Sequence, residues 1–149
     1  MPDVEPPGPR AEDLRIVARY DQGPISEDEV KAAVRDYLVA DGFVVEVAWG
    51  RSPGIDIVAT RSDGRRLVIE VKAEKGVTGA QQHNYFVGML GELVQRMNDP
   101  AATYGIALPD NGQYRGLVNR LPSYARERLG LVVFWVSRQN DAIVVRLEQ

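Results

Sequence analysis

The chain has no cysteine among its 149 residues. That excludes disulfide staples, thiolate metal sites and cysteine nucleophiles, and it fits the reducing cytoplasm where the sequence leads us to expect this protein. Histidine is nearly as scarce. His83 stands alone, so a multi-histidine zinc cage is excluded. No apolar run approaches membrane-spanning length, and the N-terminus lacks a basic-then-apolar leader, so no membrane association is expected. Positive charge is not in excess either. A net charge of -3 argues against a protein that coats nucleic acid non-specifically. It leaves room for a carboxylate metal centre, whose negative charge bound cations would neutralise.

What is present is ordinary globular composition: 44% hydrophobic and 26% charged residues predict a real core, at a length that suits one domain. Residues 1–10 hold four prolines, and 1–24 read as a disordered or loosely docked tail in which Leu14, Ile16 and Val17 form at most a short element. The organised domain is expected over 25–149. Ser26 with Glu29 three residues on is a capping-box pattern, and Val30, Val34, Tyr37 and Leu38 give the helix behind it one buried stripe, ended at Gly42. Strands are predicted at 43–49, 55–60 and 66–72, the last two joined through Asp63-Gly64. A second helix runs over about 78–98 on Phe86, Met89, Leu90, Leu93, Val94 and Met97. A strand at 103–108, a third helix within 114–129, and strands at 131–136 and 142–147 follow. The fold class is therefore α/β, a mixed sheet flanked by helices.

Chemistry concentrates in Gly54-Ile55-Asp56 and in Glu70-Val71-Lys72. Glu70 and Lys72 lie two apart on a strand, so they share a face, while Leu67, Ile69 and Val71 point to the other. Whether Asp56 joins them is a matter of register. A two-residue turn at Asp63-Gly64 would pair Asp56 with Val71 and leave Glu70 on the other face. A three-residue loop, Ser62-Asp63-Gly64 with a left-handed Gly64, pairs Arg61 with Arg65 and sets Asp56 opposite Glu70. We expect the second, because two adjoining carboxylates repel one another and a divalent cation resolves that conflict.

Gly-Ile-Asp56, a hairpin and then Glu70-Val71-Lys72 resembles the PD-(D/E)XK nuclease superfamily, with the proline of that name displaced to Pro53. The element order over 26–108 resembles the family's restriction-endonuclease-like αβββαβ core. Gln81 and Tyr85 resemble the Gln-x-x-x-Tyr motif of RecB-like members, and the segment from the first helix to Lys72 is similar to Holliday-junction resolvases and Mrr-like restriction domains. Glu-x-Lys alone has little specificity; the combination carries the resemblance. It implies a metal-dependent DNA endonuclease of repair, recombination or restriction type. Asp56 and Glu70 would ligate Mg²⁺ or Mn²⁺ with the Val71 carbonyl as a third ligand, and Lys72 would act on the attacking water and on the charge of the transition state.

Other residues carry two readings each. Gln81 matches the motif, yet Gln82 lies nearer the Phe86 stripe, and either is expected to serve the catalytic set with Tyr85. Glu29 or Glu27 could add a first-helix acid to the metal, although capping already explains Glu29. Arg51, Lys75, Arg115 and Arg120 flank the loops around the site and are candidate phosphate contacts. Trp49 and Tyr114 could stack on bases, with core packing the better reading of Trp49. His83 reads as a solvated helix residue. The partner expected is DNA. A protein partner for targeting and a homodimer are both compatible with the chain, because no further DNA-reading motif is visible. Two rival readings stand beside this one: a catalytically silent nuclease fold that binds nucleic acid or protein, and an unrelated α/β interaction domain whose trio is a salt-bridge cluster.

Overall fold

A computed structural model describes residues 23–74 and 78–149. The expected tail therefore lies outside the described residues except for Gly23 and Pro24, and the candidate Lys75 lies outside them too. In chain order the elements are α1 (Glu27–Ala40), β1 (Val44–Val47), β2 (Ile57–Thr60), β3 (Arg66–Val71), α2 (Gly79–Gln95), β4 (Thr103–Pro109), α3 (Gly112–Asn119), α4 (Ser123–Leu129), β5 (Val132–Gln139) and β6 (Ala142–Glu148). The six strands lie in one mixed sheet in sequence order. β1, β2 and β3 are antiparallel, β4 and β5 continue parallel to β3, and β6 returns antiparallel on β5. This is the α/β architecture expected of a restriction-endonuclease-like core.

Each face of the sheet has its own apolar layer. Val30, Val34 and Leu38 of α1 pack on Ile57, Ala59, Ile69 and Val71. On the opposite face, Phe86, Met89 and Leu93 of α2 and Leu117 and Val118 of α3 cover Val68, Ile106, Leu108, Val133 and Trp135. Strand alternation sorts neighbouring side chains between these layers. Where strands come closest the residue is small: a Cβ on Gly105 would stand 2.8 Å from Val132 Cγ2.

The local signals are realised as atoms. Ser26 and Glu29 form a complete capping box on α1, and Thr78 and Gln81 form another on α2. The β2–β3 loop has three residues: the Arg61 amide donates to the Arg65 carbonyl at 2.9 Å, Gly64 has φ +88°, and Ile57 pairs with Ile69.

Four sequence expectations need correction. The single helix placed within 114–129 is two, because Asn111 caps α3 early and Pro122, which cannot continue a helix and restrains the residue before it, separates α3 from α4. β1 is only four residues long, which leaves Trp49 on the following loop, 39% exposed, with Arg35 over its ring at 5.3 Å rather than in the core. Val94 and Tyr37 face outward; α2 packs by Phe86, Met89 and Leu93 with Leu90 partly buried beside them, and Tyr37 rests at the edge against Phe134. Most consequentially, the buried stripe of α1 includes a charge, Lys31, 1% exposed.

Candidate active site

Asp56 stands one residue before the first paired position of β2, where that strand has left the β3 ladder. Its side chain takes over a rung: Oδ2 accepts from the Val71 amide at 2.8 Å. The rest of the local chain supports this post, since the Asp56 carbonyl accepts from the Ala48 amide at 2.9 Å. Across the register lies Glu70, which the loop geometry sets opposite Asp56. Glu70 is 2% exposed. Burial, then hydrogen bonding to Asp56 and the charge of Asp56, push its carboxyl up to about 8, with Arg96 pulling the other way. At neutral pH the metal-free Glu70 therefore holds its proton.

Two cations reach these acids, and neither is Lys72. The ammonium of Lys31, from α1, lies 3.5 Å from Asp56 Oδ1 and 3.2 Å from Glu27 Oε1, and donates to the Ala48 carbonyl at 2.6 Å. Arg96, the C-cap of α2, donates from Nε to Glu70 Oε1 at 2.7 Å. Lys72 follows the end of β3 and extends instead over the Tyr85 ring, its Nζ 5.8 Å from the ring centroid. The expectation that Lys72 would stand beside both carboxylates is corrected to that extent: it shares their end of the sheet while forming no ion pair with either.

The glutamine ambiguity has a plain geometric answer. Gln81 is exposed and its side chain closes the α2 cap with Thr78. Gln82 is buried, and its Oε1 has no hydrogen-bond partner. The motif-matching residue therefore faces the cap, and its neighbour faces the protein interior. Tyr85 is half exposed, against Lys72.

Other candidates fall away from the acids for physical reasons. Glu29 is taken by the Ser26 amide at 3.2 Å and by Arg138 at 2.7 Å; the α1 acid linked to the centre is Glu27, a full turn before Lys31. Arg115 donates from Nε and Nη2 to the two carboxylate oxygens of Asp110 at 2.7 and 2.8 Å and stacks on Trp135, so its fork is occupied. Tyr114 is buried and donates to the Ala73 carbonyl at 2.7 Å, which rules out base stacking; burial first, then the negative charge of Glu74 and Glu27, raises its hydroxyl to about 12. Arg51 and Arg120 are exposed, and so is His83, as read from sequence. Val71 contributes its amide to Asp56 while its side chain is buried.

Among the described residues no group of three or more His, Cys, Asp or Glu side chains gathers as a metal cage. The donor set that does exist is two adjoining hard-oxygen carboxylates, one of them made to hold its proton first by burial and then by the other. Such a pair suits an ion like Mg²⁺, which takes one or two carboxylates and fills its shell with water and phosphate oxygens. No helix among the described residues is long and apolar enough to cross a membrane.

Comparison with known proteins agrees with this architecture. An XisH family protein from Nostoc punctiforme matches with a TM-score of 0.51 and 18% identity, over 80% of this chain and 98% of that one. A protein described as an fdxN element excision controlling factor, from Anabaena variabilis, matches with a TM-score of 0.48 and 17% identity, over 79% of this chain and 95% of that one. At 18% identity the likeness to the first is one of fold. No curated protein matches. The family described as restriction endonuclease, Mrr_cat, matches residues 24–106, which is more than half of the chain and spans α1 through the middle of β4, including both acids; the protein belongs to that family.

Proposed function

We propose that the protein is a metal-dependent DNA phosphodiesterase, an endonuclease of repair, recombination or restriction type, working with Mg²⁺ or Mn²⁺. The observation that carries this reading is the pairing of Asp56 with Glu70, whose carboxyl is pushed up to about 8 first by burial and then by Asp56. Two acids held in mutual repulsion are a poor structural device and a good cation site. The bound cation would supply Lewis-acid charge at the phosphate and favour a nucleophilic water at neutral pH.

The chain's own residues have separable parts. Asp56 and Glu70 would hold the cation, the Val71 carbonyl would be a further donor, and the phosphodiester would lie against them. A water oxygen forms the new bond to phosphorus in line with the ester bond that breaks; the water loses its proton and the departing alkoxide gains one. Lys72, an ammonium on a flexible stem resting against Tyr85, swings onto the phosphate oxygens as charge builds there. Gln82 offers its unpaired carbonyl oxygen to the reacting water. Arg51, Lys75 and Arg120 contact flanking phosphates, and targeting falls to a protein partner or a second copy.

One observation favours a second reading. Lys31 and Arg96 already balance the two acids, as they would in a silent nuclease fold retained for binding. Incubating the protein with branched, duplex and single-stranded DNA, with Mn²⁺ or with chelator, tests the proposal. Mn²⁺-dependent cleavage is expected, and the same assay on Asp56→Asn should show none. Wild type that binds DNA but cleaves no substrate under any condition decides for the silent fold.

A further inference from the structure

Lys31, Glu70 and Gln82 are the buried polar side chains among the described residues. The metal reading uses Glu70 and Gln82 and leaves Lys31 unexplained. Packing does not explain it, since an apolar residue of similar volume would fill the α1 stripe without desolvating a charge. Nor does helix formation, for Ser26 and Glu29 already cap α1. What distinguishes Lys31 is its set of acceptors: the Ala48 carbonyl, Glu27 and Asp56, drawn from the loop after β1, from α1 and from the acid pair. Asp56 is thereby held from both sides, Oδ2 by the Val71 amide and Oδ1 by the Lys31 ammonium.

A divalent cation at the acid pair would need an oxygen of Asp56, and Oδ2 is already engaged. It would meet Oδ1 with a positive charge beside it. Arg96 poses a lesser obstacle, because its side chain is 33% exposed and can turn out into water. Lys31 cannot follow: at 1% exposed it is enclosed by the fold, so its charge stays beside Asp56 whatever binds there. Resting on the metal-dependent reading above, we infer that Lys31 is a positioning residue that holds Asp56 in place in the metal-free protein and, by competing for the same oxygen, sets the affinity of the site for its cation low.

This reading has a sign that a purely structural role lacks. A lysine that only braces Asp56 would, when removed, loosen the ligand and weaken cation binding. A competing lysine would, when removed, strengthen it. Mn²⁺ is titrated calorimetrically into the full chain, wild type against Lys31→Met and Lys31→Gln, with no DNA present. A melt in chelator checks that each variant is folded, and Gln keeps a neutral donor for the Ala48 carbonyl should Met destabilise too far. Both variants should bind Mn²⁺ about tenfold tighter or more, as expected for removing one like charge from a partly desolvated site. Wild-type binding that disappears in Asp56→Asn, with folded Lys31 variants no tighter than wild type, overturns the role of Lys31 alone. No Mn²⁺ binding by wild type or by either folded variant overturns the metal reading and this inference together.

Discussion

The molecule has two clusters of charge on different strands of its sheet, one at β2 and β3 and one toward β5 and β6, and they obey opposite rules. At the β5–β6 end, Arg115 bridges Asp110 and approaches Glu148, Arg126 joins Glu148 at 3.7 Å, and the Trp135 indole donates to the same Glu148. Every carboxylate there meets a cation, and the hydrogen bonds from Arg115 hold Asp110 below its usual range. At β2 and β3 each acid also meets a cation, Asp56 the Lys31 ammonium at 3.5 Å and Glu70 the Arg96 guanidinium at 2.7 Å. Burial and then the neighbouring Asp56 still drive Glu70 up to about 8. Each cluster sets two basic side chains against its acids. What separates them is arrangement and burial: the first relieves its charges, and the second, despite Lys31 and Arg96, leaves Glu70 holding its proton. A fold tolerates unrelieved charge where something outside the chain will relieve it.

The sharpest way to break this contrast is at Lys72. If the unrelieved cluster performs chemistry, Lys72→Ala should lower single-turnover cleavage by on the order of a thousandfold, because it removes charge needed mainly in the transition state. DNA affinity measured in Ca²⁺ should change by less than about tenfold, one phosphate contact being a small share of the total. Cleavage that survives the substitution would make Glu70-x-Lys72 a coincidence of spacing.

The next effect is thermodynamic. Glu70 keeps its proton in the folded metal-free chain up to about pH 8 and loses it near 4.5 when unfolded. Between those values the folded state holds more protons than the unfolded, so stability falls as pH rises through the window. Glu70→Gln, which cannot ionise, should flatten that slope and be the more stable protein at pH 8, by on the order of a few kcal/mol. Melts in chelator from pH 4 to pH 8.5 measure it. A wild-type profile that stays level across the window would place Glu70 among the relieved charges.

The smallest effect is expected at the other cluster. Asp110→Asn should cost about 0.5–1 kcal/mol at pH 7, given a pair that is partly exposed and screened. Because the folded Asp110 carboxyl is depressed, its contribution is present above the unfolded value and disappears as pH falls through the folded one. The variant and wild type should therefore converge in acid. A loss that persists in acid would mean the pairing with Arg115 is not its source.

How much of this could be read from the chain differs between local and distant signals. The register that aligns Asp56 with Glu70 was legible because a short loop containing Asp63-Gly64 has few geometries, and only one placed both acids on one face. The Ser26–Glu29 capping box was equally local; the Thr78–Gln81 box has the same spacing but was hidden behind the Gln-x-x-x-Tyr motif, and it drew Gln81 away from the role that motif suggested. Lys31 and Arg96 were not legible. Each meets its acid across a span of about 25 residues, and a lysine beside an apolar stripe reads as a solvated flank until the loop bearing Ala48 closes over it. Arg115 failed for the reverse reason: its neighbours Asp110 and Trp135 claim it, and one of them arrives from a later strand.

The rung between Asp56 and the Val71 amide has an evolutionary consequence. Asparagine could accept the same hydrogen bond through its amide oxygen, so the end of β2 would stay docked while the charge vanished. The other amide atom, a nitrogen, would then face the Lys31 ammonium where Oδ1 had been, so architecture and charge separate cleanly in two exchanges, Asp56→Asn with Lys31→Met. A descendant lineage could abandon cation-dependent chemistry by that short path and keep the scaffold, free to be recruited for another task.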